Sequence, residues 1–116
     1  MSIDVVMLTK NSAKPYFKKC LASIRVSLPI RRIIIVDAYS TDDTINIIKQ
    51  FFADPIIIRT RQPLAQSRKL AISYVKTEWF AFIDSDIELF PNWFKILSKF
   101  RHKDVGGDSG KGSICE

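Results

Sequence analysis

The sequence predicts an α/β fold, a doubly wound parallel sheet with helices on both faces. Short, continuously apolar, β-branched runs alternate with stretches of helical periodicity in strand–helix–strand order. Strands that are apolar throughout, instead of at every second position, belong in sheets covered on both sides. The length of 116 residues supports one such core but not two.

The first strand is IDVVMLT at 3–9. A helix follows with Pro15 in its first turn, where the missing N–H costs nothing. Its apolar face is Phe17, Cys20, Leu21 and Ile24, at the i, i+3, i+4, i+7 spacing. IIIVD at 33–37 is the second strand. Ser40 then opens S-T-D-D, a capping-box-like start to a helix over 41–52 that buries Ile45, Ile48 and Phe52. PIIIR at 55–59 is a short third strand. The next helix, over 64–75, carries Leu64, Ser67, Ala71 and Val75 on one side. WFAFI at 79–83 is the fourth strand, and Pro91 opens a last helix with Trp93, Ile96, Leu97 and Phe100 facing inward.

Right-handed crossovers make this a Rossmann-like unit, and such sheets gather ligands at the carboxyl ends of their strands. That rim receives Thr9, Lys10 and Asn11, then residues 37–40, residues 59–61, and Asp84, Ser85 and Asp86. All four glycines fall in the last eleven positions, which divides the chain into a compact domain, 1–105, and a flexible glycine-rich tail, 106–116. The tail's GKGS is not a phosphate loop, because Val105 stands where that motif needs glycine and no helical pattern follows. An unpaired sheet edge beside the fourth strand predicts either self-association through that edge or membership of a longer protein.

Charge is uneven. The net +6 resides in the first 32 residues, where Lys10, Lys14, Lys18, Lys19, Arg25, Arg31 and Arg32 face Asp4 alone. Such a cluster fits either a solvated helix face or an anionic membrane surface; nothing else in the chain points to nucleic acid. No apolar run approaches the roughly 20 residues of a membrane span, and no signal-peptide pattern is found. Cys20 and Cys115 form no disulfide framework, so the expected setting is cytoplasmic, with free thiols.

The run WFAFIDSD ends in two acids one residue apart. On an extended segment Asp84 and Asp86 share a face, about 6–7 Å apart, and can converge on one cation. Carboxylate oxygens suit Mg²⁺ or Mn²⁺, and Mg²⁺ is usually held by one or two carboxylates plus substrate phosphates. As a lone motif the pair also fits a turn or a helix cap.

The elements DVVMLTKNSAKPYFKKCLASI, IIIVDAYSTDDT and LAQSRKLAISYVKTEWFAFIDSDIELFPNWF, in that order and spacing, resemble the family 2 nucleotide-sugar glycosyltransferases over residues 3 to 107. The resemblance implies the amino-terminal, donor-binding half of a GT-A fold and a metal-dependent transfer from a UDP- or GDP-sugar to an acceptor hydroxyl, with inversion. It places Thr9 and Asn11 against the nucleotide, Asp37 against the base, Arg68 near the phosphates, and Asp84 and Asp86 in the D-x-D motif. Asp86 is the expected direct metal ligand. From the residues alone, Asp37 also fits a cap on the turn into the second helix, Thr9 and Asn11 a helix-start cluster, and Arg68 a surface position. The chain departs from the family pattern at Ala38, Tyr39, Asp43 and Lys69, and no residue is nominated as catalytic base. The alternative is a module of the same fold that binds nucleotide or a partner chain without turnover.

Overall fold

A computed structural model of the chain describes residues 2–89 and the backbone of 112–115. The predicted last helix, with Trp93, Ile96, Leu97 and Phe100, lies outside the described residues. The elements run β1 Ile3–Thr9, α1 Pro15–Ser27, β2 Ile30–Asp37, α2 Thr44–Phe51, β3 Ile56–Arg59, α3 Leu64–Ile72, β4 Trp79–Phe82 and β5 Gly112–Cys115. Every described strand pair is parallel, and the sheet order is β3-β2-β1-β4-β5. The chain winds outward from β1 to β3, then crosses back over β1 to begin again at β4.

That reversal puts helices on both faces, as predicted. Val5, Met7, Ile33, Ile35, Ala81 and Ile83 meet Phe17, Cys20, Leu21 and Ile24 of α1 and Ile47 and Ile48 of α2. The intervening positions Val6, Ile34, Val36 and Phe80 turn to the other face and pack with Ala71 and Val75 of the α3 region. Both sets are buried because successive strand side chains alternate between faces and each face has its own helical cover.

Several features differ from the sequence expectations. β2 starts at Ile30, not 33, because the charges of Arg31 and Arg32 are met locally. Arg31 donates Nε and Nη2 to the two oxygens of Asp4, at 2.7 and 3.1 Å, and Arg32 Nη2 reaches Asp54 at 2.8 Å. Two bases of the amino-terminal cluster are therefore paired. α2 starts at Thr44, later than Ser40, since Ser40 is engaged elsewhere; Asp42 accepts the Thr44 N–H at 3.0 Å and its hydroxyl as well. Leu64, at the start of α3, is 62% exposed, whereas Ser67, Ala71 and Val75 of the same expected side are buried. Finally, Gly112–Cys115 pairs with β4 as β5, so the edge expected to be open is occupied and part of the expected loose tail is strand. Glycines upstream of a strand do not prevent pairing when a parallel edge offers unused N–H and C=O groups.

Among the described residues, no helix is long and apolar enough to cross a membrane.

Candidate functional site

In each strand–helix unit the chain leaves a strand at its carboxyl end and enters a helix there, so α1, α2 and α3 all begin on one rim. None has an acid in its first turn, which leaves the partial positive charge unneutralised at the starts of α1 and α3, whereas Asp42 accepts the Thr44 N–H at the start of α2. Lys10, Arg61, Arg68 and Lys69 stand exposed in the segments that form this rim.

Thr9, Asp37 and Arg59 occupy one register row, Thr9 opposite Asp37 and Asp37 opposite Arg59. Asp37 is 0% exposed. Its Oδ1 accepts from Thr9 Oγ1 at 2.7 Å and Ser40 Oγ at 2.5 Å; its Oδ2 accepts from the Ser40 N–H at 2.8 Å and Arg59 Nε at 3.3 Å. Burial pushes this carboxyl up, but the hydrogen bonds from Ser40, Thr9 and Arg59 outweigh it and hold it below the ordinary carboxylate value. Four donors fill the four lone-pair directions of a carboxylate. Thr9 and Asp37 are thus brought together, but as partners of each other.

Asn11 is similarly occupied. It sits at φ +45°, a left-handed conformation that Asn tolerates better than most residues. Its N–H donates to Ser40 Oγ at 2.8 Å, and its Oδ1 accepts the Thr41 N–H at 2.8 Å. The Ser12 N–H reaches Thr44 Oγ1 and the Ala13 N–H reaches Asp42, so the β1–α1 loop is sewn to the β2–α2 loop. Tyr39 also has positive φ, +53°, and its ring lies under two guanidinium groups, Arg61 at 4.2 Å and Arg59 at 5.5 Å from the centroid.

Beside this hub a cleft of about 310 Å³ opens on the α3 face. The β1 end contributes Leu8, Thr9 and Lys10, and the β2 end Val36 and Ala38. Thr60 and Gln62 come from the segment after β3, and Leu64 and Ser67 from α3. Val36 and Ala38 line it while Asp37, between them, turns to the other face. Of the polar lining residues, Gln62 and Ser67 carry no signal in the sequence beyond their place after a strand.

Next to Ser67, Arg68 lies over the ring of Phe82 at 4.8 Å, two residues before the acidic turn. The strand does not continue through that turn. The Ile83 N–H still reaches the Val6 carbonyl at 3.0 Å, but the Ile87 N–H folds back on the Asp84 carbonyl at 3.4 Å. Asp84 and Asp86 therefore stand on a turn, not on the extended segment expected from the sequence. Burial alternates here: Ile83 and Leu89 are buried and Ile87 half-buried, while Asp84, Asp86 and Glu88 face solvent. The apolar run delivers its acids to water, so no buried charge has to be offset. From below, α1 holds the turn, with Cys20 Sγ on the Asp84 carbonyl at 3.5 Å and the Leu89 N–H on Ser23 Oγ at 3.0 Å. Burial, with Asp86 and Asp84 adding to it, pushes the Cys20 thiol up to about 12, so this cysteine is an inert core residue.

Among the described residues, no group of three His, Cys, Asp or Glu side chains is placed to hold a metal, and neither Asp84 nor Asp86 accepts a side-chain hydrogen bond. Two solvent-facing, acceptor-only carboxylates on one anchored turn fit an ion that keeps water and shares its remaining positions with phosphates. A larger depression, about 610 Å³, lies on the opposite rim among Arg25, Arg31, Arg32 and Asp54. α1 and α2 end there, and basic groups at helix C-termini answer the negative end of the dipole.

Against known proteins, the model of a family described as Glycosyl transferase family 2 matches residues 4–107. The SPbeta prophage-derived glycosyltransferase SunS of Bacillus subtilis (strain 168) is 41% identical over 71 residues, covering 60% of this chain and 16% of SunS. SunS of Bacillus phage SPbeta gives the same figures. The crystal structure of S. aureus TarS 1-349 superposes with a TM-score of 0.74 at 23% identity, over 90% of this chain and 33% of that one. Its complex with UDP gives 0.73, also at 23%. At that identity the likeness is one of fold, a Rossmann-like α/β sheet. This chain spans about a sixth of the length of the curated relatives it matches.

Proposed function

This chain belongs to glycosyl transferase family 2, and from that premise we propose that it forms the donor-binding part of a metal-dependent glycosyltransferase. The observation that carries this reading is the stack of Arg68 on Phe82, which stands between a residue of the cleft and the acidic turn in the chain. A cleft of nucleotide dimensions borders Ser67, its neighbour Arg68 covers Phe82, and Phe82 leads into the exposed Asp84–Asp86 turn. A nucleoside in the cleft would extend its diphosphate past Arg68 toward those acids.

Asp84 and Asp86 would hold a divalent cation, Mn²⁺ or Mg²⁺, with Asp86 as the direct ligand. Such an ion supplies Lewis-acid stabilisation to the negative charge that grows on the leaving diphosphate. The chain's own residues do the rest. Arg68 adds a charge-assisted contact to the phosphates, and the acid-free helix starts favour the same anion. Thr9, Asn11 and Asp37 keep the two rim loops in one arrangement. The acceptor and the catalytic base belong to the remainder of a longer transferase. The buried free thiol of Cys20 fits a cytoplasmic setting. Exposed Lys14, Lys18 and Lys19 on or beside α1 suit attachment to an anionic membrane.

A thermal-shift panel of UDP-, GDP- and dTDP-sugars, with and without Mn²⁺, tests the proposal. Selective binding raises apparent stability by about 2.7 kcal/mol at a hundredfold excess over Kd. A shift with one nucleotide class that grows with Mn²⁺ is the expected result. No shift with any nucleotide sugar, metal present or absent, ends the donor-binding reading.

A further inference from the structure

The two acids of the rim turn have nothing of their own to orient them. Asp84 and Asp86 face solvent, and neither carboxylate takes a hydrogen bond among the described residues. Their separation and direction are set by the main chain that carries them, and that main chain is held by one helix.

α1 grips the turn at both ends. At its start the Asp84 carbonyl accepts from Cys20 Sγ at 3.5 Å and, within the turn, from the Ile87 N–H at 3.4 Å. At its end the Leu89 N–H donates to Ser23 Oγ at 3.0 Å. Ser23 gives its own O–H to the Cys20 carbonyl at 2.7 Å, which leaves a lone pair turned to Leu89. Cys20 and Ser23 stand three residues apart, so both grips come from one side of a single helical turn. The thiol is a weak donor and the hydroxyl a good acceptor, so Ser23 is the stronger of the two. Leu89 is buried, and a buried N–H that loses its acceptor costs free energy until the chain shifts to satisfy it.

The helix itself is fixed. Phe17, Leu21 and Ile24 are wholly buried, and the loop that feeds α1 is tied through the Ser12 and Ala13 N–H groups to Thr44 and Asp42. Ile83 and Leu89, on either side of the acids, belong to the same core cluster as that face of α1.

We propose that Ser23 is a positioning residue for the acidic turn: by fixing Leu89 it holds Asp84 and Asp86 in one arrangement toward a divalent cation. The inference rests on the donor-binding reading above. Ser23 touches neither the ion nor the donor. It acts through preorganisation, since a cation meeting an anchored turn loses no affinity to ordering the chain. Threonine can replace it, because in a helix its hydroxyl also reaches the carbonyl three residues back. Alanine cannot.

Mn²⁺ titrations of the full chain in the presence of UDP, followed by water-proton relaxation enhancement, test this. That signal reports ion held on a slowly tumbling protein. Ser23→Ala should weaken Mn²⁺ binding by about tenfold, the low end of what loss of a ligand's outer support costs. Ser23→Thr, which keeps the hydroxyl at a half-buried position, should stay within about twofold of wild type. Amide exchange at Leu89 should quicken in Ser23→Ala and return to the wild-type rate in Ser23→Thr, which ties the metal effect to the anchor and not to general loss of fold. Wild-type Mn²⁺ affinity in Ser23→Ala, or no recovery in Ser23→Thr, overturns the positioning inference and leaves donor binding intact. If wild type shows no enhancement with Mn²⁺ and UDP, the metal-dependent donor reading falls, and this inference with it.

Discussion

Two aspartate sites flank the central strand at the same rim, and their surroundings are opposite. At the end of β2, Asp37 is inaccessible to water and holds four donors from three neighbouring segments. Beyond β4, Asp84 and Asp86 are exposed on a turn whose backbone, not whose carboxylates, is anchored by α1. A carboxylate whose lone pairs are all used supports structure and has little left for a ligand. One whose lone pairs face water is free to exchange water for a cation. The two sites share a residue type and differ in whether their lone pairs are filled or left to water.

The largest expected effect is at the scaffold. Asp37→Ala strands buried hydroxyl and amide donors and frees Arg59, and should lower unfolding free energy by about 3 kcal/mol in urea denaturation. If it costs no more than an exposed substitution, the contrast between the two sites is broken. Asp86→Asn should do the reverse: stability without ligand within about 0.5 kcal/mol of wild type, and loss of the Mn²⁺-dependent part of the thermal shift with nucleotide sugar. A retained metal response moves the cation elsewhere.

A pH series sharpens the same contrast. Because folding holds the Asp37 carboxyl below its ordinary value, the unfolded chain binds that proton more tightly. The stability it contributes is complete above the unfolded value of roughly 3.9 and is lost as pH falls through the lower folded value. Urea midpoints taken from about pH 5 to pH 3 should fall, and fall less steeply in Asp37→Asn. Exposed Asp42, held low chiefly by the Thr44 hydroxyl, adds loss in the same direction in both proteins.

The smallest effect is expected at Tyr39→Gly. Glycine relieves the left-handed backbone but gives up the stack with Arg59 and Arg61 and loosens the unfolded chain. These terms nearly cancel, to within about 0.5 kcal/mol by urea denaturation. A loss of several times that would make the stack part of the scaffold.

Much of this was legible in the chain. The bounds of β1 and the buried face of α1 follow from local pattern, because burial of that face leaves few other arrangements. The start of β2 was not legible, since Arg31 and Arg32 look like loop residues until Asp4 and Asp54 stand beside them. Nor was β5: the four residues at 112–115 carry a weak strand signal, and a free parallel edge supplies what local preference lacks. The pair Asp84 and Asp86 was visible in the sequence, but the turn that carries it was hidden behind an apparently extended run.

Alone, the sequence determined a doubly wound sheet, the rim where its polar residues gather, and the family to which the chain belongs, because periodicity and motif spacing are local properties. Tertiary structure alone decided what each rim residue can do. Thr9, Asp37 and Arg59 lie far apart in the chain and meet only through the register of three strands. Whether a carboxylate's lone pairs are filled or left to solvent depends on that meeting.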